Sequence, residues 1–173
     1  MSPARSFILA CAFAPLALAA LPGDAVAKGP PWISIELPAN PYDRTTRGAF
    51  LLVHAFHHGT PMAFPVSGKA EGLVNGVRRT IQLTFERTER AGVYSLRKQW
   101  ADEGEWTLVI SVTQGKGENN AAHAMVRISA GEVIAVRVPT EQRGDWTVPR
   151  RISQAEIEAS LREPLVRVAR RGN

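Results

Sequence analysis

Cysteine is almost missing from this 173-residue chain, which has a single one, Cys11. It falls in a stretch that reads as an export leader, so the part expected to fold has no thiol. Thiolate metal sites, thiol nucleophiles and disulfide staples are therefore excluded, and stability is left to an ordinary apolar core. The familiar catalytic signatures are missing too: there is no G-x-S-x-G elbow, no H-E-x-x-H helix, no P-loop and no dinucleotide fingerprint. Apart from the leader there is no long apolar run. "FILACAFAPLALAAL", Phe7 to Leu21, is shorter than the roughly 20 apolar residues a spanning helix needs, and Pro15, Pro22 and Gly23 interrupt or end it.

Arg5 precedes that run and "AVA", Ala25 to Ala27, follows it, which is the pattern of a cleavable secretory signal. The expected organisation is a signal peptide at 1–27, a domain at 28–149, and a helix with a basic tail at 150–173. A retained N-terminal anchor is the competing reading. Cys11 in "ILAC" raises a lipid anchor, but the apolar run continues past it, against the placement of such a site. Cleavage predicts a periplasmic or secreted protein with no transmembrane span.

Net charge is +5, and residues 143–173 carry +3 of it, with seven basic and four acidic side chains. A basic tail suits weak contact with an anionic envelope surface. Nucleic acid is not an expected partner for an exported chain. Arginine outnumbers lysine 17 to 4, which composition alone does not tie to a ligand.

The body of the chain alternates at period two. "WISIEL", "AFLLVHAFHH", "VRRTIQLTF", "EWTLVISVT", "AHAMVRIS" and "EVIAVRVP" each read as strands, separated by Pro, Gly and Asn turn signals. Asn75-Gly76 suits a type I′ hairpin turn, and Ala130-Gly131 is placed to make another. In "EWTLVISVT", Trp106, Leu108, Ile110 and Val112 share one face while Val109 on the other marks a central strand. Short strands without a long helical period predict an all-β fold, an immunoglobulin-like β-sandwich, with an open barrel as the alternative. Ser153 and Glu156 form the S-x-x-E pattern of a capping box, flanked by Ile152 and Ile157, so a short C-terminal α-helix is predicted from Gln154 to Arg162, ended by Pro164.

In "RAGVYSLRKQWADEGEWTLVISV", Arg90 to Val112, a glycine stands two residues before a tyrosine and Gly-x-Trp opens the next strand. "HHGTPMAFPVSGKAEG" adds a Gly-x-Pro loop at Gly59 and Pro61. These motifs cover about half of the exported portion, and they resemble the YtkA-like domain family and, more distantly, FixH-like proteins. The resemblance implies an exported immunoglobulin-like module and carries over no catalytic residue. Gly92-Val93-Tyr94 also resembles the tyrosine corner of immunoglobulin-type sandwiches, with Leu96 where those domains carry cysteine.

Three of the four histidines cluster in "VHAFHHGTPM", Val53 to Met62. On a straight strand His54 and His58 lie about 13 Å apart and His57 faces the other way, too dispersed for metal bonds of about 2 Å. A turn near Gly59 would leave His57, His58 and Met62 as candidate ligands. His123 and Met125, at i and i+2 on one strand face, form a second candidate pair. Imidazole with thioether suits copper. The bland alternative is that these side chains simply fill rims and half-buried positions. "ADEGE", with Asp102, Glu103 and Glu105, reads as a solvated acidic turn rather than a calcium loop. The expected function is a non-enzymatic accessory or interaction module of the cell envelope with another envelope protein as partner, bound through a sheet edge or the loops around Gly59 and Gly104. The alternative is a periplasmic copper-binding protein using His57, His58, Met62, His123 and Met125.

Overall fold

Period-two alternation forces each strand to bury one row of side chains, and the row in "EWTLVISVT" goes to the centre of the molecule. Trp106 is 2% exposed, and Leu108, Ile110 and Val112 are fully buried. The computed structural model of the chain describes residues 29–115 and 120–163. The expected signal segment and the basic tail from Pro164 lie outside the described residues.

In chain order the strands are β1 (Trp32–Glu36), β2 (Leu51–His57), β3 (Thr60–Pro61), β4 (Val66–Val74), β5 (Val77–Gln82) and β6 (Glu86–Arg87). They continue as β7 (Val93–Leu96), β8 (Glu105–Thr113), β9 (Ala121–Ser129), β10 (Glu132–Arg137), β11 (Thr140–Arg143) and β12 (Trp146–Pro149), followed by the helix α1 (Gln154–Arg162). One sheet has the order β1-β2-β7-β6, with β3 paired to β2; the other is β10-β9-β8-β4-β5. Taking β1, β2, β4, β6, β7, β8 and β9 as strands A to G gives A-B-E-D packed on C-F-G, the immunoglobulin arrangement. β5 and β10 widen the second sheet at its two edges. The chain is thus an all-β sandwich with one short C-terminal helix, and the open barrel falls away.

The inner faces meet in one core. Ile33, Leu51, Val53, Ala55 and Leu96 from the first sheet pack against Ala70, Trp106, Leu108, Ile110, Ala124, Val126 and Ile128 from the second. β8 sits at the centre of its sheet, between β4 and β9. Of its outward residues, Thr107 is buried beneath α1 and Val109 is half-buried. The predicted turns form where expected: Asn75 (φ 50°) and Gly76 (φ 77°) join β4 to β5, and Ala130 (φ 48°) and Gly131 (φ 80°) join β9 to β10.

Two readings of the sequence need correction. Tyr94 lies on β7, at the E position, so it is not the corner residue, which belongs to strand F, and Leu96 does not replace the F-strand cysteine. The F strand here is β8. The Tyr94 phenol still donates to backbone, but to the Phe64 carbonyl oxygen 30 residues upstream at 2.5 Å. It thereby ties the β3–β4 connection to the first sheet. Removing that hydroxyl with Tyr94→Phe should cost about 1 kcal/mol in urea unfolding, the net worth of one such bond, with no change in secondary structure.

Two pentads of similar sequence, "GEWTL" (Gly104 to Leu108) and "GDWTV" (Gly144 to Val148), take different places in the fold. The first opens central β8 with Trp106 buried, whereas the second turns the β11–β12 hairpin and leaves Trp146 75% exposed. The sequence pattern does not announce that hairpin as a pair of strands.

The helix begins where the capping box places it. Ser153 Oγ accepts from the Glu156 amide at 3.2 Å, and the Glu156 carboxylate accepts from the Ser153 amide at 2.9 Å. α1 lies on the outer face of the second sheet with Ile157, Ser160 and Leu161 buried. Its Ser160 hydroxyl meets that of Thr107 on β8 at 2.5 Å. The segment at 150–163 is therefore docked on the sandwich.

Candidate functional site

The five candidate ligands separate into two places. Strand register decides it, because residues directly across a ladder share a face. On β9, Ala122, Ala124, Val126 and Ile128 point into the core, so His123 and Met125 point to the outer face of the second sheet. On β2, His57 has the parity of core residues Leu51, Val53 and Ala55 and faces inward from the end of the first sheet. His123 and Met125 thus face away from the sheet that carries His57, and the second sheet's own strands intervene. The five-residue copper site does not assemble.

On this face α1 lies beside Met125, and the segment before it, at Arg151 and Ile152, borders His123. Met125 is 6% exposed and lies beside Glu156 and Arg137. His123 is half-buried, with Nδ1 bonded to Ser111 Oγ at 2.8 Å. Burial, followed by the nearby Arg151 guanidinium, holds the His123 imidazole below its ordinary pKa. A positive charge so placed also opposes a metal cation, since both would occupy the same desolvated volume. Around His123 lies a groove of about 480 Å³ lined by Ser67, Val109, Ser111, Thr113 and Arg151. Its chemistry, hydroxyls and one cation over an apolar floor, suits a small polar molecule better than a metal.

At the other place β2 makes the turn that ligation would require. His58 (φ 47°) and Gly59 (φ 77°) are the two central residues of a tight hairpin that pairs His57 with Thr60. Positive φ at both positions is the type I′ geometry, and glycine takes the second at little cost. The turn brings the His57 and His58 rings together edge to face, with centroids 4.1 Å apart. His57 is 7% exposed, and Met62 on the following segment is 38% exposed. His54 belongs elsewhere. Its Nε2 meets Glu36 Oε2 at 2.8 Å on the outer face of the first sheet, where Arg90 joins the same carboxylate oxygen at 3.1 Å.

The acidic turn is structural. Lys98 pairs with Asp102, the Glu103 carbonyl accepts from Trp106 Nε1 at 3.0 Å, and Glu105 accepts from Ser129 Oγ at 2.5 Å. Among the described residues no group of three or more His, Cys, Asp or Glu side chains is placed to hold a metal, and no helix is long and apolar enough to cross a membrane.

A sheet edge is among the expected binding surfaces, but the sequence does not say which edge. β10 ends its sheet, and its Ile134 and Val136 are each 41% exposed. A register shift between Val133 and Ala135 turns Ile134 out of the ladder, and Val136, across from core residue Val126, overhangs the sandwich. Pro139 and Gly144, punctuating "VPTEQRGDWTVP", were the available signal for the hairpin that follows. Exposure of alternate apolar residues on an edge leaves no such trace. Compared with known proteins, the chain matches no family model, no curated protein and no solved structure.

Proposed function

We propose that the chain is an exported, non-enzymatic accessory module of the cell envelope, periplasmic or secreted, that binds an extended segment of another envelope protein along the outer edge of β10, which pairs with no further strand among the described residues. The observation that carries this reading is the contrast between the two edges of the second sheet. β5, at one edge, presents Arg78, Arg79, Thr80 and Gln82, the charged and polar side chains that keep an edge from pairing. β10 instead presents Ile134 and Val136 at its middle, with exposed Glu132 and Arg137 only at its ends, and it runs through Val138 and Pro139 into the hairpin that exposes Trp146. An edge with exposed apolar side chains at its middle is what a strand-adding partner uses: main-chain bonds supply affinity and side-chain contacts supply specificity. Aromatic anchors such as Trp146 are enriched at binding centres. The leader-like N-terminus and the motifs similar to YtkA-like domains support the envelope setting.

Photo-crosslinkers placed singly at Ile134, Val136 and Val77 in cells test it. Val77, 51% exposed on β5, is the control edge. The expected result is a single adduct mass from both β10 positions and none from Val77, its partner peptide mapping to an extended segment, and its loss when Trp146→Ala or Ile134→Lys is added. Equal adducts from both edges, or none from β10, would reject the surface. Turnover by the purified domain in a broad hydrolase screen would reject the non-enzymatic assignment.

A further inference from the structure

The outer edge of β10 complements itself. Pairing with β9 sets Glu132 across from Ser129, Val133 from Ile128, Ala135 from Arg127, Val136 from Val126 and Arg137 from Met125, with Ile134 as the extra residue of a bulge. Ile128 and Val126 are core residues, so Val133 and Val136 lie on the inner side of the sheet. Glu132, Ala135 and Arg137 lie on the outer side with Ser129, Arg127 and Met125. Leaving out Ile134, the edge reads acid, valine, alanine, valine, base. Like side chains stand at equal distances from Ala135, and opposite charges stand at the ends.

A second β10 laid antiparallel beside the first is related to it by a two-fold axis normal to the sheet, which keeps each face of the sheet on its own side. Residues opposite one another must then share a face. In an unbroken strand Glu132 and Arg137, five positions apart, would point to opposite faces and could not meet. The bulge at Ile134 shifts the count by one and puts both on the outer side. With the axis at Ala135, Glu132 of each copy stands opposite Arg137 of the other, and Val133 stands opposite Val136. Both charges are available for this, being exposed, with no ion pair or hydrogen bond holding either side chain among the described residues. The β5 edge offers no equivalent: "VRRTIQ" has two arginines and no acid, so no register of two copies sets opposite charges across it.

We infer that the chain forms a symmetric dimer through β10, in which the two five-stranded sheets run on as one. The inference rests on the reading of β10 as a pairing edge and adds how that edge is regulated. A second copy and a foreign strand need the same main-chain groups. The dimer is therefore the resting form that covers an apolar edge while no partner is bound, and the envelope partner displaces one copy from it. Ile134 and Val136 are covered in either state.

Sedimentation equilibrium of the purified chain tests it at about 10–100 µM, because a short edge-to-edge contact is expected to dissociate in the micromolar range. The parent should sediment as a dimer. Glu132→Arg and Arg137→Glu each set like charges across both ends of the interface, and each should weaken association about tenfold. The double change Glu132→Arg with Arg137→Glu restores opposite pairs in reversed order and should return the dimer. Mixing the two single variants should give a heterodimer, since one carries only arginine and the other only glutamate at the two positions. Both side chains are exposed, so urea unfolding of the dilute variants should match that of the dilute parent. Val77→Arg, on the β5 edge, should leave the dimer intact. A parent that stays monomeric across that range overturns the inference, as does a dimer indifferent to either charge reversal or one that the double change fails to restore. The partner reading is decided separately, by adducts between β10 and another protein in cells. A dimer without such adducts would remove the partner and keep the self-pairing.

Discussion

Replacing Trp106 by alanine is expected to remove about 3–5 kcal/mol of stability, the usual toll for truncating a large buried aromatic. Against a total of about 5–15 kcal/mol for a domain of this kind, that leaves the sandwich near its unfolding threshold. Trp106 is 2% exposed, it stands on the central strand, and its Nε1 donates to the Glu103 carbonyl at 3.0 Å. The ring occupies space that a side chain on β4 would otherwise fill. Gly72 is its register partner, and a Cβ there would fall 2.4 Å from Trp106 Cε3. No relaxed contact is that short, so Gly72→Val must push the ring off its anchor or break the β4–β8 ladder. About 3 kcal/mol is expected, at the upper end of overpacking costs. The two positions should couple: the double variant Gly72→Val with Trp106→Ala should be less destabilised than the sum of the singles, because the valine then fills part of the cavity. Urea unfolding of all four chains measures this. Strict additivity would show that the glycine is not there for the tryptophan.

Legibility of the sequence followed from how local each determinant is. The β8 span Glu105–Thr113 and the α1 span Gln154–Arg162 were readable to the residue. Alternation and the capping box are written in consecutive side chains, and tertiary context only had to agree with them. The turns at Asn75-Gly76 and Ala130-Gly131 were legible for the same reason. Tyr94 was misassigned because a Gly-x-Tyr pattern specifies a local turn and not which strand of the Greek key it opens. Only the sheet order, with β7 beside β2, shows that it stands at E.

The candidate site was half legible. Strand parity correctly separated His54 from His57, and the need for a turn at Gly59 was visible from its chemistry. What parity could not supply was the third dimension. Whether His57 and His123 share a cavity depends on which sheet face each strand turns to the core. The approach of Gly29 to the His57 and His58 rings depends on a contact between segments some 28 residues apart. Likewise the docking of α1 beside Met125, and of Arg151 and Ile152 beside His123, is an event that no local pattern announces. Each of these facts is about how elements pack, and the sequence speaks mainly about the elements.

Docking of that helix should be the pH-sensitive part of the structure, through Glu156. Its carboxylate accepts from Arg150 at 2.6 and 3.0 Å, from the Ser153 amide and from the Ser153 hydroxyl, each at 2.9 Å. The Arg150 hydrogen bonds, then the Ser153 backbone bond, bring its pKa from the ordinary 4.5 down to about 2. Because the folded value is the lower one, this group's stabilisation is complete above pH ~4.5 and is lost as pH falls toward 2. Taken at face value a drop of that size would be worth about 3 kcal/mol. The Glu156 side chain is 32% exposed, and solvent screening reduces the figure to about 1–2 kcal/mol. Glu156→Gln isolates that contribution, since glutamine can still close the capping box but cannot pair with the guanidinium. At pH 7 the variant should unfold about 1–2 kcal/mol more easily than the parent. Between pH 4.5 and 2 the two unfolding curves should converge, although both chains weaken there as Glu71, whose pKa is also lowered, takes up its proton. A gap that stays constant down to pH 2 would mean that Glu156 acts by shape alone and that the ion pair with Arg150 contributes nothing to holding α1 on the sheet.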